Sequence, residues 1–171
     1  MRTMTKYLGL SVIAISLMAP AIAKEVPTTT DIAFARAVLS EAKLVSPFGV
    51  RHDQVRDRRS WHGGIDLGAE WDAAVHAPAS GEVVYADTKP GYGKTVDLKV
   101  SDGWVIRVAH LSAIKVKSGD LVDAGNILGQ VGSTGPKTPP HLHLETRYED
   151  KQYDPELVEG LEFFTVEADR D

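Results

Sequence analysis

Apolar and polar positions divide the chain into stretches of different period. At the start, Arg2 and Lys6 lead into an apolar run from Leu8 to Ala19, interrupted only by Gly9, Ser11 and Ser16. Ala21-Ile22-Ala23 follows with small residues two apart, and Lys24 and Glu25 restore polarity. This pattern predicts a secretory signal over residues 1–23, cut after Ala23, and hence an exported protein, periplasmic or secreted. A spanning helix needs about 20 apolar residues. The run is shorter and stops at Pro20, so no stable membrane insertion is expected once the signal is gone. Residues 24–45 then read as a lead-in. Polar residues with Pro27 give way to a short helix from Asp31, as cap, to about Lys43, with Ile32, Ala35, Val38, Leu39 and Ala42 on one face. Ser46-Pro47-Phe48-Gly49 ends it.

From there the period is that of strands. Glu82 to Tyr85, Thr95 to Val100 and Trp104 to His110 are short runs rich in β-branched and aromatic residues, separated by Gly81, Pro90-Gly91, Gly93 and Asp102-Gly103. In the second run Val96, Leu98 and Val100 alternate with Thr95, Asp97 and Lys99, which predicts a half-buried strand. Asp102-Gly103 predicts a hairpin to the third run. Ile114 to Val116, Ile127 to Val131 and His141 to Arg147 continue the series. Many short strands with frequent turns predict an all-β domain over residues 46–156, an antiparallel sandwich or open barrel, with residues 157–171 as an acidic tail.

Composition narrows the function classes. The chain has 171 residues, 43% hydrophobic and 25% charged, as expected of one globular domain. Its formal charge is −5, and loss of Arg2 and Lys6 with the signal takes it to −7. Acidic surface argues against generic binding to nucleic acid or anionic membrane. With no cysteine, the exported domain must depend on its core or on a metal, and a lipid anchor behind the signal is excluded.

Candidate chemistry lies in the histidines. In a strand, His141 and His143 point to one face with Glu145, while Leu142 and Leu144 point to the other. His62 and Asp66 are four apart; on a straight strand they would be about 13 Å apart, too far to share an ion. A bulge or turn at Gly63-Gly64 would bring them together. Two histidines and one carboxylate make the donor set of a hydrolytic zinc site with an open position. The third donor is supplied by the strand at 141–143, and spacing leaves open which histidine it is. His110 ends the strand that starts at Trp104. Arg51, Arg56, Arg58 and Arg59 read as a solvated basic loop. A sharper reading has them meeting carboxylates of a peptide substrate, with Arg58 and Arg59 as the pair to replace. His52 and His76 are expected to be non-catalytic.

The order of short motifs is specific. Ser46-Pro47-Phe48-Gly49-Val50-Arg51, His62-Gly63-Gly64-Ile65-Asp66, Ala77-Pro78-Ala79-Ser80-Gly81, Gly91-Tyr92-Gly93, Ala109-His110-Leu111-Ser112, Gly132-Ser133-Thr134-Gly135 and His141-Leu142-His143-Leu144-Glu145 occur in that sequence. This arrangement resembles the catalytic domain of the lysostaphin and LytM-type zinc metallopeptidases over about residues 46–156. The resemblance implies one zinc ion per chain, held by His62, Asp66 and His143, with His110 and His141 assisting catalysis and Glu145 supporting the metal site from behind. It implies a β-rich fold with a substrate groove, and peptidoglycan as partner: an endopeptidase cutting peptide stems or cross-links. His76 before Ala77-Pro78 and Pro139-Pro140 before His141 depart from the family's pattern, away from any implied catalytic position. The family also holds members that have lost ligands and activate other wall enzymes, so the alternative is a non-catalytic regulator, whose partner the sequence does not name. Lys117-Ser118-Gly119-Asp120 and its surroundings resemble a lipoyl-type carrier, but no modifiable lysine stands at a hairpin tip and the histidines would go unexplained.

Overall fold

The structure is a computed structural model, and it describes residues 42–53, 57–100, 103–135 and 139–157. The expected signal, nearly all of the lead-in helix and nearly all of the tail lie outside the described residues. At the end of that helix, Ala42 and Lys43 are extended, because Lys43, Leu44 and Ser46 pair with a neighbouring strand.

Thirteen strands are described: β1 (Lys43–Ser46), β2 (Gly49–Asp53), β3 (Arg58–His62), β4 (Ile65–Gly68), β5 (Ala74–His76), β6 (Gly81–Lys89), β7 (Gly93–Lys99), β8 (Trp104–Leu111), β9 (Ala113–Ile114), β10 (Leu121–Val122), β11 (Ile127–Gln130), β12 (His141–Tyr148) and β13 (Lys151–Tyr153). A 3-10 turn, Pro155–Leu157, follows the last strand. The domain is all-β, and every strand pair is antiparallel. The large sheet runs β1-β4-β12-β8-β7-β6-β10, with β13 beside the end of β12; β5-β11-β9 form a small sheet, and β2-β3 a two-stranded arm.

Strand periodicity sorts the two faces of the large sheet. One face carries Ile65, Leu67, Val83, Val96, Leu98, Ile106, Val108, Leu142 and Leu144, which join Val75, Leu128 and Val131 of the small-sheet region in one buried cluster. Burying a Val, Leu or Ile side chain stabilises the fold by about 1.5–3 kcal/mol, so this cluster holds the two sheets together. The other face is polar yet also buried: Thr95, Asp97, Arg107, His143 and Glu145. β7 is therefore not the half-buried strand its alternation predicts. Arg107 and Lys89 close over Asp97 and remove it from water. The basic stretch before His62 is likewise not a loop. Arg51 lies on β2 and Arg58 and Arg59 on β3, paired in register as Arg51 with Ser60 and His52 with Arg59. Arg56 lies outside the described residues.

Candidate metal centre

Register places the site on the polar face. Across the sheet His143 of β12 stands opposite Asp66 of β4 on one side and Ala109 of β8 on the other. Directly opposed residues share a face, so Asp66 and His143 point the same way, and Ala109 leaves room beside the imidazole. His62 comes from the end of β3. The chain bends at Gly63-Gly64 before β4 begins, and Gly64 passes so near β12 that a Cβ would lie 2.2 Å from the Leu144 carbonyl oxygen. That close passage brings His62 Nε2 to 3.1 Å from Asp66 Oδ1, although the residues are adjacent along neither strand.

Three atoms converge: His62 Nε2, Asp66 Oδ1 and His143 Nδ1, separated by 2.8–3.2 Å. The remaining contacts fix what these atoms are. His62 Nδ1 lies 2.8 Å from the Pro47 carbonyl, which can only accept, so Nδ1 carries the proton and Nε2 the lone pair. His143 Nε2 lies 3.1 Å from Glu145 Oε1 and donates to it, leaving the lone pair of the neutral ring on Nδ1. Three acceptor lone pairs then face one point, which is repulsive unless a positive centre lies among them. Zinc donors at tetrahedral angles stand about 3.3 Å apart, so the donor set and its spacing fit a zinc ion. The charges around the site point the same way. Burial opposes ionisation of Asp66, yet the imidazoles of His143 and His62 beside it hold its carboxyl far below the usual range. Burial disfavours a charged His143, but Asp66 and Glu145 push it above its ordinary value, so in the metal-free protein a proton can supply the charge.

Glu145 supports the site from behind. Its side chain is 1% exposed. It accepts from His143, from Tyr92 OH at 2.9 Å, from Gln152 Nε2 at 2.9 Å, and from Arg147 and Arg107 at 2.7 and 3.4 Å. Burial alone would raise its pKa; the His143 and Arg147 contacts carry it down to about 2. Arg107 in turn grips Asp97 with two bonds of 2.7 Å. The register Glu145–Arg107–Asp97 across β12, β8 and β7 makes this one straight polar row.

His110 and His141 flank the cluster, their ring centroids 4.8 Å apart. Alternation along β8 would send His110 into the apolar core. Instead its backbone is left-handed, with φ 62°, and the ring turns to the site face beside His143. Such a conformation costs on the order of 1–3 kcal/mol in a non-glycine residue. It is held by Thr134, whose carbonyl accepts from His110 Nδ1 at 2.8 Å, while Thr134 itself is tied to Leu111 and Lys94. Gly93 makes this possible: a Cβ there would lie 2.3 Å from the Thr134 oxygen. Burial, with smaller contributions from His141 and His143, pushes His110 down to about 4, so it is neutral at pH 7. His141 Nδ1 is held by the Pro139 carbonyl at 2.8 Å, and its Nε2 stands 3.9 Å from Asp66 Oδ1.

The structure thus brings His62, Asp66, His143, His110, His141 and Glu145 together. Arg58 and Arg59 are exposed on the arm and are not among them. The sequence reading missed the place of Arg51, which donates to Asp66 Oδ2, and of Tyr92, which contacts Glu145 and lies near His143. Both stood inside the quoted motifs, but Arg51 was read with the charges around it as a basic loop. His52 pairs with exposed Asp57, and His76 with the Gly125 carbonyl, both away from the cluster.

Residues 60–155 match the sequence profile of Peptidase family M23. The DD-carboxypeptidase/endopeptidase Mpg of Neisseria meningitidis serogroup B is 37% identical over 116 residues, covering 68% of this chain and 27% of that protein. The murein hydrolase activator NlpD of Escherichia coli is 32% identical over 117 residues, covering 68% and 29%. The chain spans little more than a quarter of the length of these two relatives. Among solved structures, the catalytic domain of lysostaphin from Staphylococcus simulans superposes with a TM-score of 0.62 at 32% identity, covering 67% of this chain and 90% of that one. A zinc-containing peptidase from Vibrio cholerae gives 0.66 at 27% identity, covering 78% and 40%.

Proposed function

This chain belongs to peptidase family M23, and on that premise we propose that it is an exported zinc-dependent endopeptidase hydrolysing amide bonds in the peptide stems or cross-links of peptidoglycan. The observation that carries this reading is the convergence of three lone pairs, on His62, Asp66 and His143, beside two further histidines held in fixed tautomers. A zinc ion held by His62, Asp66 and His143 would supply Lewis-acid activation of water and of the scissile carbonyl. The chain's own residues do the rest. His62 and His143 turn a lone pair toward the metal because the single N–H of each neutral ring donates to the Pro47 carbonyl and to Glu145. His110, uncharged at pH 7, offers Nε2 as a lone pair, because Nδ1–H is committed to Thr134. One of His110 and His141 takes the proton of the attacking water and passes it to the leaving nitrogen. The other can donate to the oxygen on which charge develops only while it carries a proton on Nε2 as well, as an imidazolium. Removing either is expected to cost about 10²–10⁴-fold in turnover.

The test is incubation of the purified protein with isolated sacculi, with and without a chelator, reading released fragments by mass spectrometry. Chelator-sensitive release of peptide fragments, lost in His143→Ala, is expected, and the protein recovered from the envelope should begin at Lys24. Near wild-type turnover in either His110→Ala or His141→Ala would overturn the proton-transfer scheme. The likeness to a murein hydrolase activator favours a second reading: a regulator that does not itself cut. It predicts bound zinc, no fragments from sacculi alone, and faster release when a separate wall hydrolase is added.

A further inference from the structure

The segment from Ser46 to Arg51 touches two of the three candidate ligands. Its Pro47 carbonyl accepts from His62 Nδ1. Arg51, on β2, sends its guanidinium out of the arm toward β4, where Nη1 donates to Asp66 Oδ2 at 3.2 Å and also to Ser46 Oγ. Meanwhile Asp66 Oδ1 faces His62 and His143. The two carboxylate oxygens are therefore divided: one into the cluster, one onto Arg51. A carboxylate left to itself can turn about its terminal torsion or present both oxygens to a metal. With Oδ2 held by Arg51, the carboxylate is fixed with Oδ1 turned toward the ion site. The arrangement does not serve the arm itself. Arg51 Nε is buried with no partner among the described residues, while two-fifths of the side chain stays in contact with solvent. A guanidinium that leaves one donor unmet in order to place another on Asp66 is positioned for Asp66, since buried donors are otherwise satisfied.

We propose that Arg51 is a positioning residue of the metal centre, which holds Asp66 to single-oxygen ligation and ties the β2-β3 arm to the occupied site. The proposal rests on the reading that His62, Asp66 and His143 hold a metal ion. It is tested by binding of Co²⁺ and Zn²⁺ to the purified full chain, with affinity from competition against a chromophoric chelator and geometry from the visible spectrum of the cobalt form. Arg51→Met, which keeps the apolar stem, should weaken metal affinity by about 10–100-fold and change the cobalt spectrum. Arg51→Lys, with the charge but not the planar fork, should fall between it and wild type. Circular dichroism of the metal-free forms reports folding, and if Arg51→Met fails to fold then Arg51→Lys carries the test. Wild-type affinity and spectrum in the folded variants would overturn the role of Arg51 while leaving the metal site intact. A wild-type protein that binds neither ion would overturn both readings.

Discussion

His110 shows how much one residue's surroundings decide. Its ring is in the site only because its backbone is left-handed, and its ring is neutral because it is buried among other imidazoles. The unfolded chain takes up a proton on this histidine near its ordinary pKa of 6.5, while the folded chain resists until about pH 4. Between these values the unfolded state binds more protons, so this group's contribution to stability falls as pH falls from 6.5 to 4. In metal-free protein, the stability advantage of wild type over His110→Ala, read from urea midpoints, should therefore be smaller at pH 4.5 than at pH 7. An advantage that grows on acidification would show that the ring gains, rather than loses, by protonation. Little of this was readable in advance. That His110 was worth singling out came from the motif Ala109-His110-Leu111-Ser112 in company with the other motifs, through the resemblance they carry. Its conformation depends on Thr134 and Gly93, which approach from far along the chain.

At the scale of elements, alternation was a good guide to β6, β7, β8, β11 and β12 and a poor one to β1, β2 and β3. The first group carry β-branched or aromatic residues in runs, so their period is visible. The arm is written in Arg, His and Asp, whose pairing depends on the partner strand and not on an apolar face. The same limit hid the burial of the polar face. Asp97 looked solvent-facing because the sequence does not announce that Arg107 lies opposite it. That row makes a sharp prediction. Arg107→Met leaves Asp97 buried with only the 3.5 Å contact to Lys89, and should cost about 3–5 kcal/mol in urea unfolding. Adding Asp97→Asn, which removes the stranded charge, should recover part of it. A loss below about 1 kcal/mol would mean that Asp97 reaches water once Arg107 is gone.

For the whole molecule, the fold class and the set of residues at the centre were legible, while the connections behind them were not. His62, Asp66 and one histidine of the 141–143 pair could be grouped from their chemistry and the glycine pair, and the resemblance alone implied that it is His143. The contacts through Pro47, Glu145, Thr134 and Arg51 are products of tertiary packing. The centre joins β3, β4 and β12, so an ion bound there should stabilise the domain globally. With free zinc 100-fold above its dissociation constant, stability should rise by about 2.7 kcal/mol, seen as a higher Tm that a chelator reverses. His143→Ala should abolish the shift. A Tm indifferent to zinc in wild type would mean that no ion binds the folded state selectively.

The distances along the chain carry a last consequence. His62 and Asp66 are four residues apart, but His143 lies 81 residues beyond the first and 77 beyond the second. A chain emerging from N- to C-terminus presents two donors early and lacks the third until β12 has been made and laid between β4 and β8. Any hydrolytic power the centre confers is therefore kept in abeyance by topology itself, as a latch that closes only with the last long strand of the sheet.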